Sequence, residues 1–88
     1  MRVKYRNSIS WQNVGGTVFA VNEKTGEMYY FDDVATDFWM QIGLNGDVNK
    51  MLQELADTYQ ISSKDITDDL EEFISFLDEE QLVIKDEG

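Results

Sequence analysis

The side chains of this sequence that could act on a substrate or hold an ion are carboxylates. The 88 residues carry 18 Asp and Glu against 7 Lys and Arg, with no His and no Cys. Lack of His removes the commonest general base and metal ligand, and lack of Cys removes thiolate nucleophiles, disulfides and zinc ribbons. The densest acidic run, "DITDDLEE" at residues 65–72, lacks the alternating oxygen ligands and the turn glycine of a calcium-binding EF-hand loop. Carboxylates could still do acid/base work, but that needs a companion nucleophile or an apolar cleft to shift a pKa, and the sequence signals neither. No glycine-rich phosphate cradle is present, and the pair Gly15-Gly16 reads as a turn. The expectation is a protein that is not an enzyme and takes no cofactor or metal.

If the carboxylates do no bond chemistry, their effect is that of a charged surface. Residues 1–44 hold four Lys or Arg and five Asp or Glu, whereas residues 45–88 hold three and thirteen, so the second half carries −10 of the net −11. Such a field repels nucleic acid phosphate and favours cationic partners. No apolar run is long enough to span a membrane, and "MRVKYRNSIS" has no apolar segment behind its basic residues. These features give a soluble, cytoplasmic chain with no membrane partner, forming a single domain over residues 1–88.

The elements that must position this surface follow from the spacing of apolar residues. "YRNSISWQNVGG" reads as an irregular or short extended segment ending at Gly15 and Gly16. "TVFAV" and "EMYYF" are β-branched and aromatic runs joined by "NEKTG", in which Gly26 supplies the positive φ of a hairpin loop. Asp32 or Asp33 caps a first helix, with Phe31 packing back onto it and Val34, Ala35, Phe38, Trp39 and Ile42 on one face; "GLNG" stops it. Asp47 caps a second helix, whose apolar positions run from Val48 through Met51, Leu52, Leu55 and Ala56 to Tyr59. After the short link "QIS", Ser62 with Asp65 opens a third helix whose core face is Ile66, Leu70, Phe73, Ile74 and Leu77. At about 100° per residue, Asp65, Asp69, Glu72 and Phe76 fall together on one flank of that face. "QLVIK" is a brief extended segment and "DEG" a frayed acidic tail.

Hairpin, helix, helix, tight turn, helix and short strand make an α+β order like that of a winged helix-turn-helix. The helix after the turn would enter the major groove, yet it carries Asp65, Asp68, Asp69, Glu71 and Glu72 against Lys64 alone. Affinity for DNA rests on cations that release counterions, so the sign is wrong and nucleic acid is excluded as a partner.

"GEMYYFDD" then becomes the informative stretch. Met28 and Tyr30 would point to one face of a strand, Tyr29 and Phe31 to the other, so both faces are apolar. One edge of this strand stays unpaired unless the N-terminal segment takes it, and it has no Pro or Lys to discourage pairing with another chain. Beside it the third helix offers Phe73 and Phe76 as an apolar wall and Asp65, Asp69 and Glu72 as an anionic rim. That groove suits an extended peptide with apolar anchors and basic residues. Self-association of two copies through the same edge is the alternative use.

The hairpin "TGEMYYFDDVA" followed by "FWMQI", "MLQELADTYQIS" and "DITDDLEEFISFLDEEQLV" resembles the PqqD-like family of peptide-recognition elements, used in making ribosomally synthesised and post-translationally modified peptides. The resemblance runs from Val18 to Val83. It departs from the family pattern at Phe31-Asp32, where Leu-Asn is common, and at Gln81, where a Gly often precedes Leu-Val or Leu-Ile. It implies a three-stranded antiparallel sheet packed on three helices, and a precursor's leader peptide bound as an added strand between the third strand and the third helix. Carried onto this chain, the peptide-binding residues are Glu27, Met28, Tyr29, Tyr30, Phe31, Asp65, Asp69, Glu72, Phe73 and Phe76. The partners so implied are a precursor peptide and a separate maturation enzyme, either a radical S-adenosylmethionine enzyme or a leader peptidase.

Overall fold

The computed structural model describes residues 1–86. The chain forms β1 (Arg2–Tyr5), β2 (Ile9–Val14), β3 (Thr17–Asn22), β4 (Met28–Phe31), α1 (Asp33–Leu44), α2 (Val48–Tyr59), α3 (Ser63–Glu79) and β5 (Val83–Asp86). Strands β2, β3 and β4 make a three-stranded antiparallel sheet in that order, and three helices follow. Two tight turns set its register. Gly15 and Gly16 both adopt positive φ, the geometry that matches a two-residue hairpin loop to the twist of its strands. At the other hairpin, Gly26 (φ 80°) donates its N–H to the Asn22 carbonyl at 2.7 Å, and the Asn22 N–H donates to the Glu27 carbonyl at 2.9 Å. The buried Asn22 side chain accepts from the Lys24 and Thr25 N–H groups, so this polar residue organises the loop.

The N-terminal segment holds two strands where the sequence suggests one short one. β2 pairs with β3, while β1 pairs with β5 in a second, two-stranded sheet, Arg2 opposite Asp86 and Tyr5 opposite Val83. "QLVIK" is therefore half of a closure between the chain's two ends. Asp86 lies in β5 and is not part of a frayed tail; the rest of that tail lies outside the described residues.

Helix ends follow their local chemistry with one correction. The Asp47 side chain accepts from the Asn49 and Lys50 N–H groups, and these bonds, the Lys50 one first, hold its carboxyl below the usual carboxylate range. The Ser62 hydroxyl accepts from the Asp65 N–H. Asp32 occupies the N-cap of α1, but its side chain makes no capping bond; instead the Thr36 hydroxyl donates to the Phe31 carbonyl at 2.7 Å, fixing the exit of β4 into the helix.

The core is an aromatic stack. Trp39 of α1 is fully buried, with Tyr5 stacked on it at 4.6 Å, Phe31 at 5.4 Å and Trp11 edge-on at 5.9 Å. Tyr5 donates its hydroxyl to the Trp39 carbonyl at 2.6 Å and accepts from the Gly43 N–H at 3.1 Å. Burial pushes this phenol up to about 12. Leu55 and Met51 of α2 and Leu70, Ile74 and Leu77 of α3 complete the same core. Phe76 stays off it, 42% exposed, as its place on the helix flank predicts.

Candidate strand-binding groove

The register of β4 decides which of its backbone groups are free. Asn22 and Glu27 face each other as a hydrogen-bonded position, and in an antiparallel pair such positions recur at every second residue. Tyr29 and Phe31 therefore turn their N–H and C=O toward β3, with Tyr29 opposite Ala20 and Phe31 opposite Val18, while Glu27 gives β3 its C=O and donates its N–H to Thr25 Oγ1. Met28 and Tyr30 turn theirs away from the sheet. β4 is an edge strand with β2 on the far side of β3, so among the described residues these groups meet no other strand.

Side chains alternate with the same period. Tyr29 and Phe31 point into the protein, and Phe31 meets Phe73 of α3 edge-on at 5.3 Å while Tyr29 meets Phe76 edge-on at 6.3 Å. Phe73 also touches Phe38 of α1 at 5.7 Å, which ties this wall to the core. The pairs Phe31–Phe73 and Tyr29–Phe76 thus make an apolar floor between the free edge and the helix. Met28 and Tyr30 point outward and are 73% and 72% exposed. The two apolar faces of the strand have different fates: aromatic residues of α3 and α1 cover one, and among the described residues the other is left largely open.

Of the residues expected at the groove, Tyr29, Phe31, Phe73 and Phe76 come together, with Glu27 hydrogen-bonded to Tyr29, whereas the Met28 and Tyr30 side chains lie on the opposite face and only their backbone borders the edge. Glu72 borders Phe76 along a shallow depression of about 510 Å³ on α3, shared with Asp68, Glu71, Ser75 and Glu79. Asp65 and Asp69 are exposed on the preceding turns of the helix; among the described residues no hydrogen bond joins either one, or Glu72, to β4. Glu80 was not foreseen. The Tyr29 hydroxyl lies 2.7 Å from Glu80 Oε1 and 2.9 Å from Glu27 Oε2, a single proton between two carboxylates. The bond to Glu80, then partial burial and Glu27, raise this phenol well above its ordinary value. The signal was available: Glu80 follows Phe76 by four residues and Phe73 by seven, the spacing of one helix stripe.

The fold matches known proteins. The sequence profile of the family described as coenzyme PQQ synthesis protein D (PqqD) matches residues 17–83. The chain belongs to the PqqD family. Two solved structures share its fold. One is TbiB1 in complex with the TbiA(beta) leader peptide, at 16% identity and TM-score 0.87, covering 94% of this chain and 99% of that one. The other is a lasso peptide synthetase B1 complexed with the leader peptide, also at 16% identity, with TM-score 0.84, covering 97% and 100%. No curated protein sequence matches the chain. Among the described residues no helix is long and apolar enough to cross a membrane.

Proposed function

We propose that this PqqD-family chain captures the leader segment of a ribosomally made precursor peptide by β-strand addition to the free edge of β4, and presents it to a separate maturation enzyme. The observation that carries the reading is the edge itself: the N–H and C=O groups of Met28 and Tyr30 face away from β3, beside an aromatic floor and an acidic helix. Four main-chain hydrogen bonds at about 0.5–1.5 kcal/mol each and two apolar anchors at about 1.5–3 give roughly 5–12 kcal/mol gross. Ordering a flexible guest takes back about 2–5 kcal/mol; what remains before the rigid-body cost of association, at most about 10 kcal/mol, allows binding no tighter than around micromolar. That strength suits a carrier that must release its client. The leader complexes formed by proteins of the same fold support the reading.

The chain contributes no catalytic group to this task. Its carboxylates act by sign, favouring leaders with basic residues, and the chemistry belongs to the partner enzyme. Titration of labelled protein with synthetic leader peptides from a precursor encoded beside it tests the site. Amide shifts are expected in residues 27–31 and 65–76; shifts confined to α2 reject the groove.

A further inference from the structure

The three-stranded sheet has a second open margin, on β2. The Glu23 N–H donates to the Ser8 carbonyl at 2.9 Å, so Ser8 and Glu23 are a hydrogen-bonded position one step beyond Ile9 and Asn22. Such positions alternate along an antiparallel pair, which makes Ser10–Val21, Gln12–Phe19 and Val14–Thr17 the bonded pairs. Ile9, Trp11 and Asn13 therefore turn their N–H and C=O away from β3. The Ile9 N–H is taken by the Arg6 carbonyl at 3.1 Å, but among the described residues the backbone N–H and C=O of Trp11 and Asn13 meet no partner. Two residues with both groups free are what Met28 and Tyr30 offer on β4. The strand "ISWQNV" carries no Lys, no Pro and no charge, so its side chains do nothing to keep this edge from pairing.

Beside the margin the helices again supply a wall. The Trp11 ring packs edge-on against Trp39, and Asn13 borders a depression of about 550 Å³ closed by Asp33, Val34, Asp37 and Met40 of α1 and Tyr59 of α2. No Lys or Arg lines it. Tyr59 donates its hydroxyl to Asp37, while among the described residues the Asp33 carboxylate has neither a hydrogen bond nor an ion pair. A guest residue opposite Trp11 or Asn13 would place its side chain on the helix side, over this depression, and the next one on the outer side, beside Val14 and Phe19. The inner positions suit Lys or Arg, whose aliphatic stem lies on Val34 and Met40 while the cation reaches Asp33 and Asp37. The outer positions suit an apolar residue.

We infer that the β2 margin is a second strand-addition site, which takes an extended segment of a partner protein with Lys or Arg at alternate positions. Charge selects this occupant over a second copy of the chain, whose own β2 brings no cation and comes with another net −11. The two margins lie two strand spacings apart, about 9.6 Å, so a guest on β2 leaves the β4 edge and the α3 wall open. The inference does not rest on the peptide-carrier reading.

Heteronuclear NMR of the labelled full chain, titrated to about 2 mM with a short synthetic peptide of alternating Lys and Val, tests it. Amide shifts are expected in residues 9–14 and 33–40, and a peptide with Glu in place of Lys should produce none there. Asn13→Pro removes an outward N–H without removing a bond to β3, and should weaken binding at this site about 2- to 10-fold. Asp33→Asn, which leaves the hairpin untouched, should weaken it about 1.5- to 5-fold. Tyr30→Pro, on the other margin, should leave the shifts at residues 9–14 unchanged. Circular dichroism checks that each variant folds. The inference is overturned by a titration with no shifts at residues 9–14, by shifts there that survive both Asn13→Pro and Asp33→Asn, or by equal shifts with the Glu peptide. It is overturned as well if these amides shift with protein concentration in the absence of peptide, which would make a second copy the occupant. The β4 groove is judged by its own leader titration at residues 27–31, so the two readings fail separately.

Discussion

Proline at position 30 removes one of the two N–H groups that β4 offers to an incoming strand. The N–H of Tyr30 faces away from β3, so the substitution costs the sheet no bond of its own; edge strands tolerate proline, and Tyr29 before it is already extended. A leader carbonyl then loses its donor, a loss of about 0.5–1.5 kcal/mol or about 2- to 10-fold in Kd. The pyrrolidine ring also stands where the guest backbone must approach, which moves the effect toward the upper value. The neighbouring change, Tyr29→Pro, is the contrast. That N–H points at β3 opposite Ala20, so its loss should lower the stability of the fold. Calorimetry with a leader peptide, paired with urea denaturation, separates the two. Leader affinity unchanged in a folded Tyr30→Pro protein would refute the assignment of the free edge, and with it strand addition.

Asp69→Lys should weaken a basic leader by about two- to fivefold, as expected for an exposed charge pair, and the difference from the parent should shrink in high salt when measured by the same calorimetry. Gln81 holds φ at 61°, a region that costs a side chain about 1–2 kcal/mol, while glycine there would lose about 0.5–1 kcal/mol in extra unfolded-state freedom. Gln81→Gly should therefore raise stability by up to about 1.5 kcal/mol, at some 4–8 °C in Tm per kcal/mol by calorimetric scan. Gly43 packs against the Tyr5 ring, and an added Cβ would lie 2.9 Å from the hydroxyl and 3.1 Å from Cε2. Gly43→Ala gains about 1 kcal/mol of helix propensity but displaces a stacked, doubly hydrogen-bonded Tyr5 at about 1–3 kcal/mol, so urea unfolding should show a net loss. Tyr5 ionises at about 12 when folded and near 10 when unfolded, so the folded state favours the neutral phenol. Its contribution is complete below pH about 10 and is lost between about 10 and 12; Tyr5→Phe should flatten that part of an alkaline melting series.

The hairpin, the three helices and the off-core position of Phe76 were readable because each rests on contacts within a few residues or on helical spacing. β1 was not, because Arg2–Tyr5 alternates in pattern but finds its partner about eighty residues later, at Val83–Asp86. The identity of the open edge was half legible. An apolar strand without Lys or Pro announces it, but which two residues face outward depends on the 22–27 bond across the Gly26 loop, a register that composition does not carry. Glu80 was missed for a different reason. Its spacing from Phe73 and Phe76 put it on their stripe, but its partner, Tyr29, lies 51 residues away and is set opposite it only by the fold.

The groove divides its work between two kinds of interaction. On the strand-addition reading proposed above, main-chain pairing at Met28 and Tyr30 would bind any extended segment equally well, supplying affinity without selection. Selection would then come from side chains, and those on offer are aromatic and anionic: Phe73 and Phe76 to take an apolar residue, and Glu72, Glu79 and Glu80 around them to disfavour an acidic one. Each exposed carboxylate is worth at most about 1 kcal/mol to a single basic residue. A chain whose second half carries −10 nevertheless sums such terms over the whole approach path, drawing cationic segments in and turning acidic ones away before any contact forms. The same excess explains why α3 ends in Asp78, Glu79 and Glu80 although cations are favoured at a helix C-terminus. Stability of the isolated helix is given up there, and what is gained is a rim of fixed negative sign at the place where Tyr29 joins the strand to the helix.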